Sequence, residues 1–130
     1  MRKLDENQMR LLALLEEAGD EEMGTLLNQF ARGQRFPELV DEFSHALGLL
    51  LDAGYIQIAT RLDERLYPTA EPQSIAAKIL DDVKLHVLWS EKNHWDWTGT
   101  DMPTIVATEA GIAKAQELLR VCGWNLRGSR

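Results

Sequence analysis

Over the first half of the chain, apolar residues return at every third or fourth position, the period of an amphipathic helix. Met9, Leu12 and Leu15, with Leu11 beside them, make the first such face. Asp5 stands as an N-cap, Gln8 completes a capping box, and Leu4 and Met9 have the spacing of a hydrophobic staple; the helix they predict ends at Gly19. A second stripe, Met23, Leu26, Leu27 and Phe30, predicts a helix capped by Asp20, with Glu21 and Glu22 in its first turn and Gly33 at its close. Pro37 opens a third and longer helix, whose face runs through Leu39, Val40, Phe43, Ala46, Leu47, Leu50 and Leu51 to a stop at Gly54.

The period then changes from helical to alternating. Tyr55-Ile56-Gln57-Ile58 reads as a strand with both isoleucines on one side. Pro68 and Pro72 mark a loop over 66–72, after which Ser74 caps a helix carrying Ile75, Ile79, Leu80, Val83 and Val87; the far end, 85–89, also reads as a strand. Residues 90–102 predict an exposed loop or a short aromatic hairpin. A strand at 104–107 follows Pro103, and Thr108 caps a last helix, through Ile112, Ala115, Leu118 and Leu119, to Gly123.

Two of these junctions carry a resemblance. The segments Leu49-Leu50-Leu51-Asp52-Ala53-Gly54-Tyr55-Ile56 and Ile105-Val106-Ala107-Thr108-Glu109-Ala110-Gly111 resemble the winged-helix (winged helix-turn-helix) family, where a long third helix ends in glycine and enters the first wing strand. The returning strand in that family runs into a threonine-capped helix. The resemblance implies an α+β, mainly helical fold: a winged-helix-like three-helix core with a small β-hairpin and a C-terminal helix, forming a single domain over 1–130. The chain departs from the family between the two strands. A short turn normally joins them, whereas here an insertion of about 62–103 intervenes with a helix of its own.

Charge bears on what such a scaffold could bind. With 14 lysines and arginines against 21 aspartates and glutamates, the net charge is −7, which repels phosphate backbones and attracts basic partners. Members of the family that read DNA do so with basic and amide side chains on the third helix. From Phe36 to Gly54 this helix has Glu38, Asp41, Glu42 and Asp52, with Ser44 and His45, and no lysine or arginine. The basic residues nearest to it are Arg32 and Arg35 before the helix and Arg61 and Arg65 after the strand, either solvated surface charge or, in a DNA-binding regulator, phosphate contacts. That regulator is the alternative reading and requires a homodimer to gather a basic face. The leading expectation is a small acidic protein-binding module, of the immunity or antitoxin type, that neutralises a basic protein partner through Glu38, Asp41, Glu42 and His45 of the third helix and Trp89, Trp95 and Trp97 of the insertion.

The other unusual segment is 89–97, which holds Trp89, Trp95 and Trp97, three of the chain's four tryptophans. Such rings serve equally as interface anchors or as a lid over the domain's own core. His86, His94 and Asp96, with Glu91, include metal-binding residue types, but their spacing matches no standard site, so neither metal nor cofactor is expected. Glu91 with Asp96, or His45 with Asp41 and Glu42, could be drawn as acid–base pairs; carboxylates one turn apart are ordinarily a helix's wet face. No phosphate-cradling loop, nucleophile elbow or paired-cysteine motif is present, and an enzyme is not expected. The single cysteine, Cys122, falls on the apolar side of the last helix and suits inert packing in a reducing compartment. Without a secretion signal after Met1-Arg2-Lys3, or a run of roughly twenty apolar residues, the expected location is cytoplasmic and not membrane-bound.

Overall fold

In the computed structural model the described residues are 4–60, 64–99 and 101–122. The fold is α+β and mainly helical. Helix α1 (Glu6–Ala18) begins at the capping box read from the sequence: the Asp5 carboxylate accepts from the Gln8 amide at 2.8 Å, and the Gln8 side chain accepts from the Asp5 amide at 2.9 Å. That exchange gives a partner to the Oε1 of Gln8, which is buried at 3 % exposure.

The chain does not pass directly into the second helix. Asp20–Glu22 forms a short strand, β1, and α2 (Met23–Ala31) starts only after it. Asp20 is therefore not the N-cap expected of it; Glu22 holds that position, and its side chain makes no capping bond. The reason is tertiary. Strand β6 (Thr104–Ala107) offers its free edge, pairs antiparallel with β1, and outweighs the helical preference of three acidic residues. The Pro103 carbonyl accepts from the Met23 amide at 2.8 Å, doing for α2 what an N-cap side chain would have done.

Helix α3 (Pro37–Asp52) has proline in its first turn, as expected, and buries Val40, Phe43, Ala46, Leu47, Leu50 and Leu51. Gly54, at φ +81°, turns the chain into β2 (Ile56–Ala59), which buries both isoleucines and pairs antiparallel with β6. Leu66–Tyr67, expected in a loop, adds a two-residue strand, β3, on the outer side of β2. The sheet order is thus β1-β6-β2-β3, wider than the expected small hairpin because two short segments find open strand edges.

The described part of the inserted segment carries a helix and a hairpin of its own. Ser74 caps α4 (Ile75–Asp81) by accepting from the Ala77 amide at 2.9 Å. This helix is shorter than the run of apolar residues suggests. Val83 lies in a 3-10 turn (Val83–Leu85), and Val87 begins strand β4 (Val87–Trp89), the second of the two readings open for 85–89. β4 pairs with β5 (Trp95–Trp97) in a hairpin closed by Asn93 at φ +63°, a conformation asparagine tolerates. Helix α5 (Glu109–Cys122) packs along α1 after the Thr108 hydroxyl accepts from the Gly111 amide at 3.0 Å. Gly123, expected to end this helix, and Arg61 lie outside the described residues, as does the side chain of Cys122. One apolar cluster joins α1, α2 and α3 to the sheet, through Ile56, Ile58 and Ile105, and to α4 through Ala76 and Leu80.

Candidate functional site

Helix α3 buries one side against α1 and α2 and leaves the other in water. Glu38, Asp41, Glu42, His45 and Asp52 are all exposed, as a helix with a core stripe at 40, 43, 47, 50 and 51 requires. The structure therefore brings the acidic residues expected to meet a partner onto one outward face.

That face is bounded on one side by α4, which lies against α3 where the latter is thinnest. A Cβ built on Gly48 would meet the Leu80 side chain at 3.8 Å, ordinary contact distance. Between the two helices runs an open cleft of about 430 Å³. Asp41, His45, Gly48 and Asp52 line it from α3; Ala77, Leu80, Asp81 and Lys84 face them from α4 and the turn after it. Gly48, Leu49, Ala70, Ala77 and Leu80 share its lining about equally with polar groups, among which Asp41, Asp52 and Asp81 stand against a single lysine. Sequence reading identifies Asp41, His45 and Asp52 but misses the wall opposite. Nothing local in Ala77 or Asp81 says which helix they will pack beside.

The tryptophans are arranged differently from an exposed anchor patch. Trp89, Trp95 and Trp97 share the inward face of the β4–β5 hairpin, their registers alternating with Leu88 and Asp96 on the outside. Trp95 is only 7 % exposed, and its indole Nε1–H donates to the Gln34 carbonyl at 3.1 Å. Asn28 of α2 holds the strand from beneath: its amide donates to the Trp95 carbonyl at 2.9 Å, and its carbonyl accepts from the Trp95 amide at 2.7 Å. Trp89 stands edge-on to Trp95 at 5.4 Å between ring centroids. Of the two uses open to these rings, the geometry is that of a lid on the core. Trp95 is not available to a partner, and Trp89 and Trp97 are half-buried.

Trp97 and His86 lie 5.3 Å apart, centroid to centroid, with their planes inclined by 34°. The Trp97 Nε1–H is buried without a hydrogen-bond partner, beneath Gly99: a Cβ on that glycine would come within 2.9 Å of it. A smaller cleft of about 190 Å³ opens beside these rings, walled by Ile75, Ile79 and Pro103. His94 is at the other end of the hairpin, with its Nε2 2.5 Å from Asp96 Oδ1 in an exposed pair. His86 is thus separated from His94 and Asp96. Among the described residues no three metal-ligating side chains converge.

The arginines considered for a phosphate backbone sit on different elements. Arg32, at φ +53°, ends α2, and Arg35 follows in the connection to α3; both are exposed. Arg65 is exposed just before β3. A further cation, Arg10 of α1, donates from its guanidinium to the Phe30 carbonyl at 2.8 Å and lies 4.9 Å over the Phe30 ring. Burial, and then the neighbouring charge of Arg32, lower its pKa from the ordinary arginine value, while Glu6 raises it. It serves the C-terminal end of α2, where a cation meets the free carbonyls.

Comparison with protein-family models, with curated proteins and with solved structures finds no match to this chain. Among the described residues, no helix is long and apolar enough to cross a membrane.

Proposed function

We propose that this domain is a protein-binding module on a winged-helix-like scaffold, and that its acidic third helix receives a basic protein partner, as an immunity or antitoxin-type protein would. The observation that carries the reading is the outward face of α3, where Glu38, Asp41, Glu42 and Asp52 are exposed and no lysine or arginine stands on the helix. Carboxylates so grouped speed the capture of a cationic partner and repel a polyanion. A cytoplasmic setting belongs to the same proposal and rests on the lone cysteine. No catalysis is assigned.

The scaffold assignment is supported by the two junctions. Gly54 turns α3 into β2, and β6 runs into α5 through Thr108, whose hydroxyl donates to the Gly54 carbonyl at 2.7 Å while its amide donates to the Tyr55 carbonyl at 3.0 Å. The insertion weighs against entry of α3 into DNA. α4 packs against this helix at Gly48 and adds Asp81 to Asp41 and Asp52 beside the face that would meet the phosphates.

The test is an affinity capture of the tagged protein from its native lysate, divided into nuclease-treated and untreated halves, beside a titration with duplex DNA. A stoichiometric basic protein that survives nuclease, together with no DNA binding at low salt, is the expected outcome. Duplex binding that weakens steeply with salt would replace this reading with that of a DNA-binding regulator.

A further inference from the structure

The cleft between α3 and α4 has a shape as well as a charge. On α3 the lining positions Asp41, Ser44, His45, Gly48, Leu49 and Asp52 follow one another at steps of three, one, three, one and three; on the other wall Ala77, Leu80 and Asp81 of α4 are followed by Lys84 of the 3-10 turn, at three, one and three, with Ala70 beside them. These are the spacings by which a helix presents one continuous stripe, and two such stripes side by side form a trough for a third helix. Along α3 the trough runs roughly 16 Å from Asp41 to Asp52, about three helical turns; the facing wall is shorter, about one turn of α4 from Ala77 to Asp81 continued by Lys84. Gly48 and Ala77 keep its floor low, with Leu49 beside them and the largely buried Leu80 beneath. Asp41, Asp52 and Asp81 stand along the edges, where the flanking cations of that helix would lie.

From this geometry we infer that the α3–α4 trough seats an amphipathic, lysine- or arginine-bearing helix of the partner, with its apolar stripe on the Gly48–Ala77–Leu80 floor and its cations on Asp41, Asp52 and Asp81. The inference rests on the protein-binding reading and narrows it, because a basic surface of any other shape would satisfy the charge and leave the floor uncovered. Helix-in-groove recognition demands both. The floor supplies register through its apolar spacing; the rim sets the sign of the partner and speeds its approach.

The probe is an end-capped peptide of about 14 residues, with leucines at helical three- and four-residue spacing and lysines elsewhere. Its control has the same composition with the order scrambled. Both are titrated into the full chain at about 150 mM salt and followed by peptide fluorescence anisotropy. Ala77→Leu fills the trough without changing charge, and a D41N/D52N/D81N variant removes the rim while keeping its shape; circular dichroism checks that each is folded. The expected result is that the ordered peptide binds at least about tenfold more tightly than the scrambled one, and that either variant loses about tenfold or more, a change of about 1.4 kcal/mol or above. Equal binding of the two peptides, indifferent to Ala77→Leu but lost in the asparagine variant, would overturn the trough and leave a generally acidic binding surface standing. Should neither peptide bind, the inference falls as well, and the lysate capture then decides separately whether α3 meets a basic partner at all.

Discussion

A Cβ placed on Gly111 would run into the Tyr55 carbonyl oxygen and lie 2.9 Å from its carbon, which is backbone and cannot swing away. The first turn of α5 thus touches the chain just as it leaves Gly54 for β2, and Thr108 bonds to the same stretch. Gly111→Ala must push α5 off the sheet, so a loss of about 3 kcal/mol or more, at the severe end for single substitutions, is expected in urea unfolding. An unchanged unfolding midpoint in the Gly111→Ala variant would show that the helix shifts freely. Asn28 is the second residue on which much depends. Asn28→Ala leaves both the Trp95 amide and carbonyl without their bonds in a half-buried site, and should lower stability by about 2–3 kcal/mol while raising the rate of amide hydrogen exchange along β4 and β5. The two residues differ in legibility. Gly111 follows a threonine cap by three positions and could be singled out in the sequence, whereas Asn28 is an inconspicuous polar residue in α2 whose partner is 67 positions away.

At the scale of elements, the sequence is most informative where the determinants are local. The capping box of α1, the proline of α3, the glycine turn into β2 and the serine and threonine caps of α4 and α5 each involve residues a few positions apart, and all are present. β1 and β3 are not legible. Each is too short to show alternation, and each exists because a strand distant in sequence offers an edge. The end of α4 is open to two readings in the sequence for a related reason: Val83 and Val87 keep a helical spacing from Leu80, yet β4 gains a partner in β5 that a longer helix would lose. The site shares this division. The acidic face of α3 can be read from periodicity, but the trough beside it depends on how α4 docks. Gly48 connects the two. It sits within α3, where glycine is less favourable than alanine by roughly 0.5–1 kcal/mol, and its added Cβ would make only ordinary contact with Leu80. Gly48→Ala is therefore expected to stabilise the protein by that amount, a rise of about 2–4 °C in melting temperature. A fall in melting temperature would mean that α3 and α4 are already at their closest approach.

For the molecule as a whole, the disposition of charge matters more than its sum. A net −7 spread evenly would make the chain only moderately averse to nucleic acid. Instead, the ionisable groups on the free face of α3 are all acidic apart from His45, while Arg32 and Arg35 stand just before the helix and Arg10 is tied to the end of α2. Reversal of Asp41 and Glu42 to lysine tests whether this arrangement directs association. Both side chains are exposed and outside the core, so the D41K/E42K protein should keep its stability to within about 0.5 kcal/mol. Its association rate with the captured basic partner should fall by roughly tenfold or more at low salt, and the difference from the parent should shrink as salt shortens the reach of the charges. Dissociation should change less, since steering acts on the approach. If the association rate is instead unaltered at low ionic strength, the face of α3 is ordinary solvated charge and the partner must be sought on another surface, of which the exposed Leu88 and Asp96 side of the hairpin is the first to examine.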